Sequence, residues 1–212
     1  MAVSNKRRAA LALQWLGVWL WIVVAGTSGS AGATEAAAGI SQQILVGAPA
    51  GRIAKLLDAG ADPLLPDADG DTALHHAAMA QNPAYLKLLL ARGWEPDSRN
   101  RISGRTPLMA AMLAERERQF AMLLAAGASV AQADVMGNTP LHVAAQINEP
   151  RHVWTLLEAG APPTARNAQG QTFQPYLFMI PDRLLNAATL RWRQDVASWL
   201  RRKGIAIEQE AP

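Results

Sequence analysis

The chain of 212 residues contains no cysteine. Disulfide scaffolds, cysteine-based zinc sites, thiol nucleophiles and a lipidated N-terminal cysteine are therefore excluded. Aromatic residues make up only 6%. Alanine and leucine dominate instead, a composition that favours helix. No serine lies in a G-x-S-x-G context, H-E-x-x-H does not occur, and the histidines and carboxylates form no set with metal-ligand spacing. "GAPAGR" at 47–52 has two glycines and an arginine but not the G-x-x-x-x-G-K-[ST] order that cradles phosphate. No enzyme, cofactor or metal site is predicted.

Excess charge is also scarce. The formal charge is +3, but Lys6, Arg7 and Arg8 account for three of the 20 basic residues. The rest of the chain balances its 17 acidic residues, so it lacks the basic footprint that phosphate backbones require and no nucleic-acid partner is expected. Arg191, Arg193, Arg201, Arg202 and Lys203 cluster near the end among Asp182, Asp195, Glu208 and Glu210, and read as a solvated helix face. The three N-terminal cations precede an uncharged apolar run, "LALQWLGVWLWIVVAG", and then small residues ending in Ala31-Gly32-Ala33. That order is a secretory signal over 1–33, with cleavage predicted after Ala33. The alternative is a retained inner-membrane anchor, since the run falls just short of a comfortable span of ~20 residues. Either way the remainder is expected outside the cytoplasm, in the periplasm of a Gram-negative bacterium.

What the chain does have is a repeat. "DGDTALHHAA" at 69–78, "SGRTPLMAA" at 103–111 and "MGNTPLHVAA" at 136–145 align on Thr72, Thr106 and Thr139, spaced 34 and then 33 apart. A degraded copy, "QGQTFQPYL", places Thr172 another 33 on. "LLDAGAD", "LLARGWE", "LLAAGAS" and "LLEAGAP" supply a second marker in step, through Gly60, Gly93, Gly127 and Gly160. Two markers sharing one period identify a repeat architecture. With its T-P-L-H-x-A-A start, the pattern resembles the ankyrin-repeat family over roughly residues 34–172.

The residue chemistry agrees. Threonine caps a helix start, and Pro107 and Pro140 occupy the first helical position, where a missing N–H costs nothing. Alanine pairs let first helices approach closely, leucine runs build the second helices, and the glycine that follows ends them. The predicted fold is an all-α solenoid of helix-turn-helix units with short β-turn fingers. The units are an N-terminal cap at 34–66, repeats at 67–99, 100–133 and 134–166, and a degenerate C-terminal cap at 167–212. The first cap should hold a short helix, a turn at Ala48-Pro49 and a second helix. The last contains an insertion of about 11 residues, with Pro175 and Pro181 breaking its first helix. Its final helix is expected over about 184–203, with Leu185, Thr189, Trp192, Val196, Trp199 and Leu200 in one stripe. The two tryptophans are expected to serve as core rather than as a partner site.

The resemblance gives His75 and His142 a structural role, bonding across the turn to neighbouring backbone; Met109 stands at the matching position. It also implies binding of a protein partner on a concave face of fingers and first-helix positions. By phase these are His76, Met79 and Ala80; Ala110, Leu113 and Ala114; Val143, Gln146 and Ile147. The finger tips add Asp69, Asp71, Ile102, Ser103, Arg105, Val135, Met136, Asn138, Gln169 and Gln171. Met79, Ile102, Leu113, Val135, Met136, Val143 and Ile147 are apolar yet expected to face solvent, as a docking patch would. A monomer is expected. The function expected is an exported module binding a periplasmic partner, such as an enzyme it stabilises or assembles. The alternatives are an immunity protein against a periplasm-delivered toxin and an anchored scaffold.

Overall fold

A computed structural model describes residues 39–208; the expected signal at 1–33 and Glu210 lie outside this range. Helices α1 (Ile40–Leu45), α2 (Ala50–Asp58), α3 (Ala73–Met79), α4 (Ala84–Ala91), α5 (Pro107–Leu113), α6 (Glu117–Ala125), α7 (Pro140–Gln146), α8 (Pro150–Glu158), α9 (Gln174–Leu177) and α10 (Ala187–Arg202) follow in order. Within the first four units α1 packs on α2, α3 on α4, α5 on α6 and α7 on α8, and no strand occurs among the described residues. The first helices stack in one row, α1 on α3, α3 on α5, α5 on α7 and α7 on α9. In the second row α2 meets α4, and α10 closes on α8. No described helix is long and apolar enough to cross a membrane.

Each unit starts as its sequence dictates. Thr72 and Thr139 are extended and form capping boxes with His75 and His142 at the third helical position. The Thr106 hydroxyl accepts from Met109 N. Leu74, Leu108 and Leu141 are fully buried beneath these starts. Ala77, Ala78, Ala111 and Ala144 are also without exposure, so the alanine pairs do permit close approach. On the second helices Leu86, Leu89, Phe120, Leu123, Val153 and Leu156 complete a continuous core. Burying such side chains stabilises by ~1.5–3 kcal/mol each, and no single unit encloses them alone. Gly60, Gly93, Gly127 and Gly160 end the second helices at φ between 82° and 88°, where any other residue would be strained.

The ends follow their sequences with two corrections. The N-terminal cap has the short helix, the turn and the second helix, and Tyr85 Oη donates to Ala48 O at 2.7 Å to tie it down. The C-terminal first helix is cut to Gln174–Leu177, and a 3-10 turn, Asp182–Leu184, follows Pro181. The final helix starts at Ala187 rather than near 184, because Asn186 Oδ1 caps Thr189 N at 2.8 Å. Leu185 thus precedes the helix. Trp192 and Trp199 are half-buried against the preceding unit. Trp192 lies 6.3 Å from Trp154, and Trp199 Nε1 donates to Glu158 Oε1 at 2.8 Å.

The second correction concerns Arg193, which is not on a solvated face. It is 4% exposed and donates to the carbonyls of Leu177 and Ile180, with an ion pair to Asp182. Burial lowers its pKa. The insertion folds back over α10 and uses this guanidinium to satisfy its own backbone. The other basic residues of the cluster, Arg191, Arg201, Arg202 and Lys203, are exposed as expected.

Candidate binding face

The fingers are built by a residue type that the repeat reading overlooked. Asp67, Asn100, Asp134 and Asn167 recur 33, 34 and 33 residues apart. In each finger this side chain folds under the tip and accepts backbone N–H groups. Asp67 Oδ1 takes Asp69 N and Asp71 N, and Asp134 Oδ1 takes Met136 N and Asn138 N. Asn167 Oδ1 takes Gln169 N and Gln171 N, and Asn100 Oδ1 takes Ile102 N and Ser103 N. The backbone of the same residues closes each base, through Asp67 N to Asp71 O, Asn100 N to Arg105 O, Asp134 N to Asn138 O and Asn167 N to Gln171 O. Short polar side chains suit this self-capping turn. Their third period was visible in the sequence.

Successive tips are joined to one another. Arg101 N donates to Gly70 O, Val135 N to Ser103 O and Ala168 N to Met136 O, all at 2.9 Å. The second finger is one residue longer, which is where the 34-residue spacing arises. Gly70, Gly137 and Gly170 N each bond a carbonyl three residues back, whereas Gly104 N reaches four residues back to Asn100 O. The extra residue therefore sits in the tip and leaves the base unchanged. Ile102, in that widened tip, is 61% exposed, and its neighbours on the third tip, Val135 and Met136, are 64% and 50% exposed.

The motif histidines join the fingers to the stack. His75 Nδ1 accepts Thr72 N at 3.2 Å while Nε2 lies 3.0 Å from Arg105 O in the next unit. His142 repeats this with Thr139 N and Gln171 O at the same distances. An N–H facing Nδ1 and a carbonyl facing Nε2 require the Nε2–H tautomer. Burial is the main force lowering both pKa values; the carbonyl contacts and nearby carboxylates oppose it without reversing it.

The expected first-helix positions divide into two groups. His76, Ala110 and Val143, four residues after each threonine, are buried, His76 at 6% and Val143 at 3% exposure. This corrects their expected exposure; Val143 joins the continuous core of the stack. His76 also reaches Asp67, Nε2 to Oδ2 at 2.6 Å. Burial raises the Asp67 pKa, but the His76 contact and the Asp71 and Asp69 N–H groups outweigh it, so the net shift is downward.

Positions seven residues after each threonine do face out. Leu113 and Gln146 are exposed and Met79 is half-buried. Ala80, Ala114 and Ile147, one further, are half-buried. Gln146 Nε2 donates to Asn138 Oδ1 at 3.3 Å, which brings this helix position to the foot of its own finger. Helix ends and fingers thus share one face. Arg105 is exposed on it, and Asp71 and Asn138 are half-buried.

The remaining histidine, His152, is buried against Phe120 with its Nε2 2.8 Å from Glu117 Oε2, and serves as a joint between units. Among the described residues no group of three or more histidines, aspartates and glutamates is placed to hold a metal ion.

A family model described as ankyrin repeats, in three copies, matches residues 45–134 and 86–167. The chain is similar to protein PhlB of Serratia liquefaciens, 53% identical over 82 residues, which are 39% of this chain and 36% of that protein. It is also similar to glycerophosphocholine phosphodiesterase gde1 of Schizosaccharomyces pombe (strain 972 / ATCC 24843), 36% identical over 85 residues, 40% of this chain and 8% of that one. The chain therefore spans about a third of one relative's length and under a tenth of the other's.

Proposed function

The chain belongs to the ankyrin-repeat family, whose repeats are generally non-enzymatic protein-interaction modules. From that premise we propose that it is an exported binder that captures a periplasmic protein on the face formed by its fingers and first-helix ends. The observation that carries this reading is the run of exposed apolar side chains Ile102, Val135 and Met136 on tips joined by a backbone hydrogen bond, with Leu113 exposed nearer the stack. A contiguous exposed apolar patch marks a contact surface in a way that scattered single residues do not. Methionine and branched side chains suit an apolar segment of a partner. Export is supported by the order of the N-terminus, basic, then apolar, then Ala31-Gly32-Ala33.

Changing Leu113→Asp together with Val135→Asp is expected to abolish capture of the native partner while helical circular dichroism is retained. Capture that survives both changes would show that the partner uses another surface. The uncharged run at 11–26 favours a second reading, an anchored scaffold. N-terminal sequencing of the protein from its host decides between them. A chain starting at Thr34 supports release, and one starting at Met1 supports the anchor.

A further inference from the structure

The second finger differs from its neighbours in charge as well as length. It carries Arg99, Arg101 and Arg105. Arg99 is committed to the frame, with Nη2 donating to Ala133 O at 2.7 Å. Arg101 and Arg105 are exposed and make no side-chain hydrogen bond or ion pair among the described residues. The hydrogen bond from Asn100 N to Arg105 O keeps both guanidinium groups on one closed loop with Ile102 between them. The third finger has no exposed charge at its tip, because Asp134 is buried beneath it. The first finger is acidic: Asp69 is exposed, and the half-buried Asp71 is held by Asn100 Nδ2. Along the ladder the surface therefore runs from negative, through doubly positive and apolar, to neutral and apolar.

We propose that the second and third fingers are a specificity site for an acidic–apolar segment of the protein partner, with a carboxylate over Arg101 and Arg105 and an apolar side chain over Val135 and Met136. This rests on the binding-face reading above and adds the partner's chemistry and direction to it. Each exposed guanidinium offers a fork of paired N–H donors that matches a carboxylate, a geometry lysine cannot supply. The apolar tips alongside contribute area and exclude water around that contact. Asp69 on the first finger repels a carboxylate there, which orients the segment with its acidic end toward the second finger. The widened loop lifts Ile102 into the same contact.

The test uses the full chain with two synthetic peptides, one alternating glutamate and leucine and the other lysine and leucine, each added to isotope-labelled protein and followed by amide chemical shifts. The glutamate peptide should perturb residues 101–105 and 135–136. Its affinity should fall about tenfold on Arg101→Glu with Arg105→Glu, and should weaken with added salt. The lysine peptide should leave these amides unmoved. Equal binding of the lysine peptide, no binding of the glutamate peptide, or binding that survives the double reversal would each overturn the proposal. Native-partner capture separates this failure from failure of the binding-face reading. If Leu113→Asp with Val135→Asp ends capture but the arginine reversal leaves it intact, the face stands and the acidic–apolar assignment falls. If neither change affects capture, the face itself is wrong.

Discussion

His75 Nε2 lies 3.0 Å from the carbonyl oxygen of Arg105, 30 residues on, so the imidazole of one unit holds the finger of the next. The contact at the other ring nitrogen requires a neutral ring, because Nδ1 accepts Thr72 N–H and a protonated Nδ1 would face that donor with a second one. His142 stands in the same relation to Gln171. Both folded pKa values lie below the ordinary 6.5, with burial as the leading cause. Between the folded and unfolded values the unfolded chain binds more protons, so stability rises with pH there. The contribution is complete above about pH 6.5 and is lost as pH falls through the depressed folded values. Urea midpoints should drop between pH 7.5 and pH 5, and the drop should shrink in His75→Gln with His142→Gln. An unchanged drop in that double variant would assign the effect to other groups.

His142→Leu should cost ~1–3 kcal/mol by leaving the buried Thr139 N–H without its acceptor and by removing one of the two hydrogen bonds to Gln171 O. Partner binding at saturating concentration should persist wherever the variant is folded. Denaturant titration with a parallel binding assay measures both. Loss of binding in fully folded protein would place His142 in the contact itself.

Gly137 and Gly160 both have positive φ, at 76° and 88°, but their surroundings differ. A Cβ on Gly137 would come within 2.9 Å of Ala168 N and 3.1 Å of Asn167 Cα, whereas one on Gly160 would meet nothing within 4 Å. Gly160→Ala should therefore cost the ~1 kcal/mol of the backbone conformation alone. Gly137→Ala should cost distinctly more, because it also pries the third tip from the fourth. Thermal melts of the two variants, compared directly, check the order.

Arg193→Leu should lower stability by ~1–3 kcal/mol by stranding the Leu177 and Ile180 carbonyls. Arg193→Lys should recover little, since a single ammonium cannot reproduce the guanidinium's spread of donors. Protease cleavage within 178–186 should accelerate in both variants. Resistance equal to the parent would mean that the insertion holds itself without the guanidinium.

Deleting Ile102 returns the second finger to the length of the others. Stability should change by no more than ~0.5 kcal/mol, as at other surface positions away from the core. Partner affinity should fall, because the protruding side chain is gone. Denaturant midpoints and a binding isotherm on the same preparation measure the two effects.

The frame was legible because it rests on local backbone demands: a cap at Thr72, a first-turn proline at Pro140, a positive φ at Gly127. Each demand selects a residue type and repeats with the period. The burial of His76, Ala110 and Val143 was not legible, since it depends on how far each first helix rotates as it stacks, and a small rotation decides whether Val143 faces a partner or a neighbouring helix. Arg193 was misplaced for a related reason. Its surroundings come from an insertion with no counterpart in the other units, so neither period nor helical stripe carries information about it. The 34-residue interval did record the extra finger residue, but only the hydrogen bond from Gly104 N to Asn100 O locates it at the tip.

Asn100 closes its finger at the base with its backbone and fills it from beneath with its amide. Beyond that residue the tip is joined to its neighbours through Arg101 N to Gly70 O and Val135 N to Ser103 O, so chain that keeps those two bonds can be lengthened without disturbing the helices behind. One residue has already been added there. The second finger is thus a socket for grafting, where a foreign recognition loop spliced between Arg101 and Ser103 would inherit a rigid mount and a change of partner would not require a change of fold.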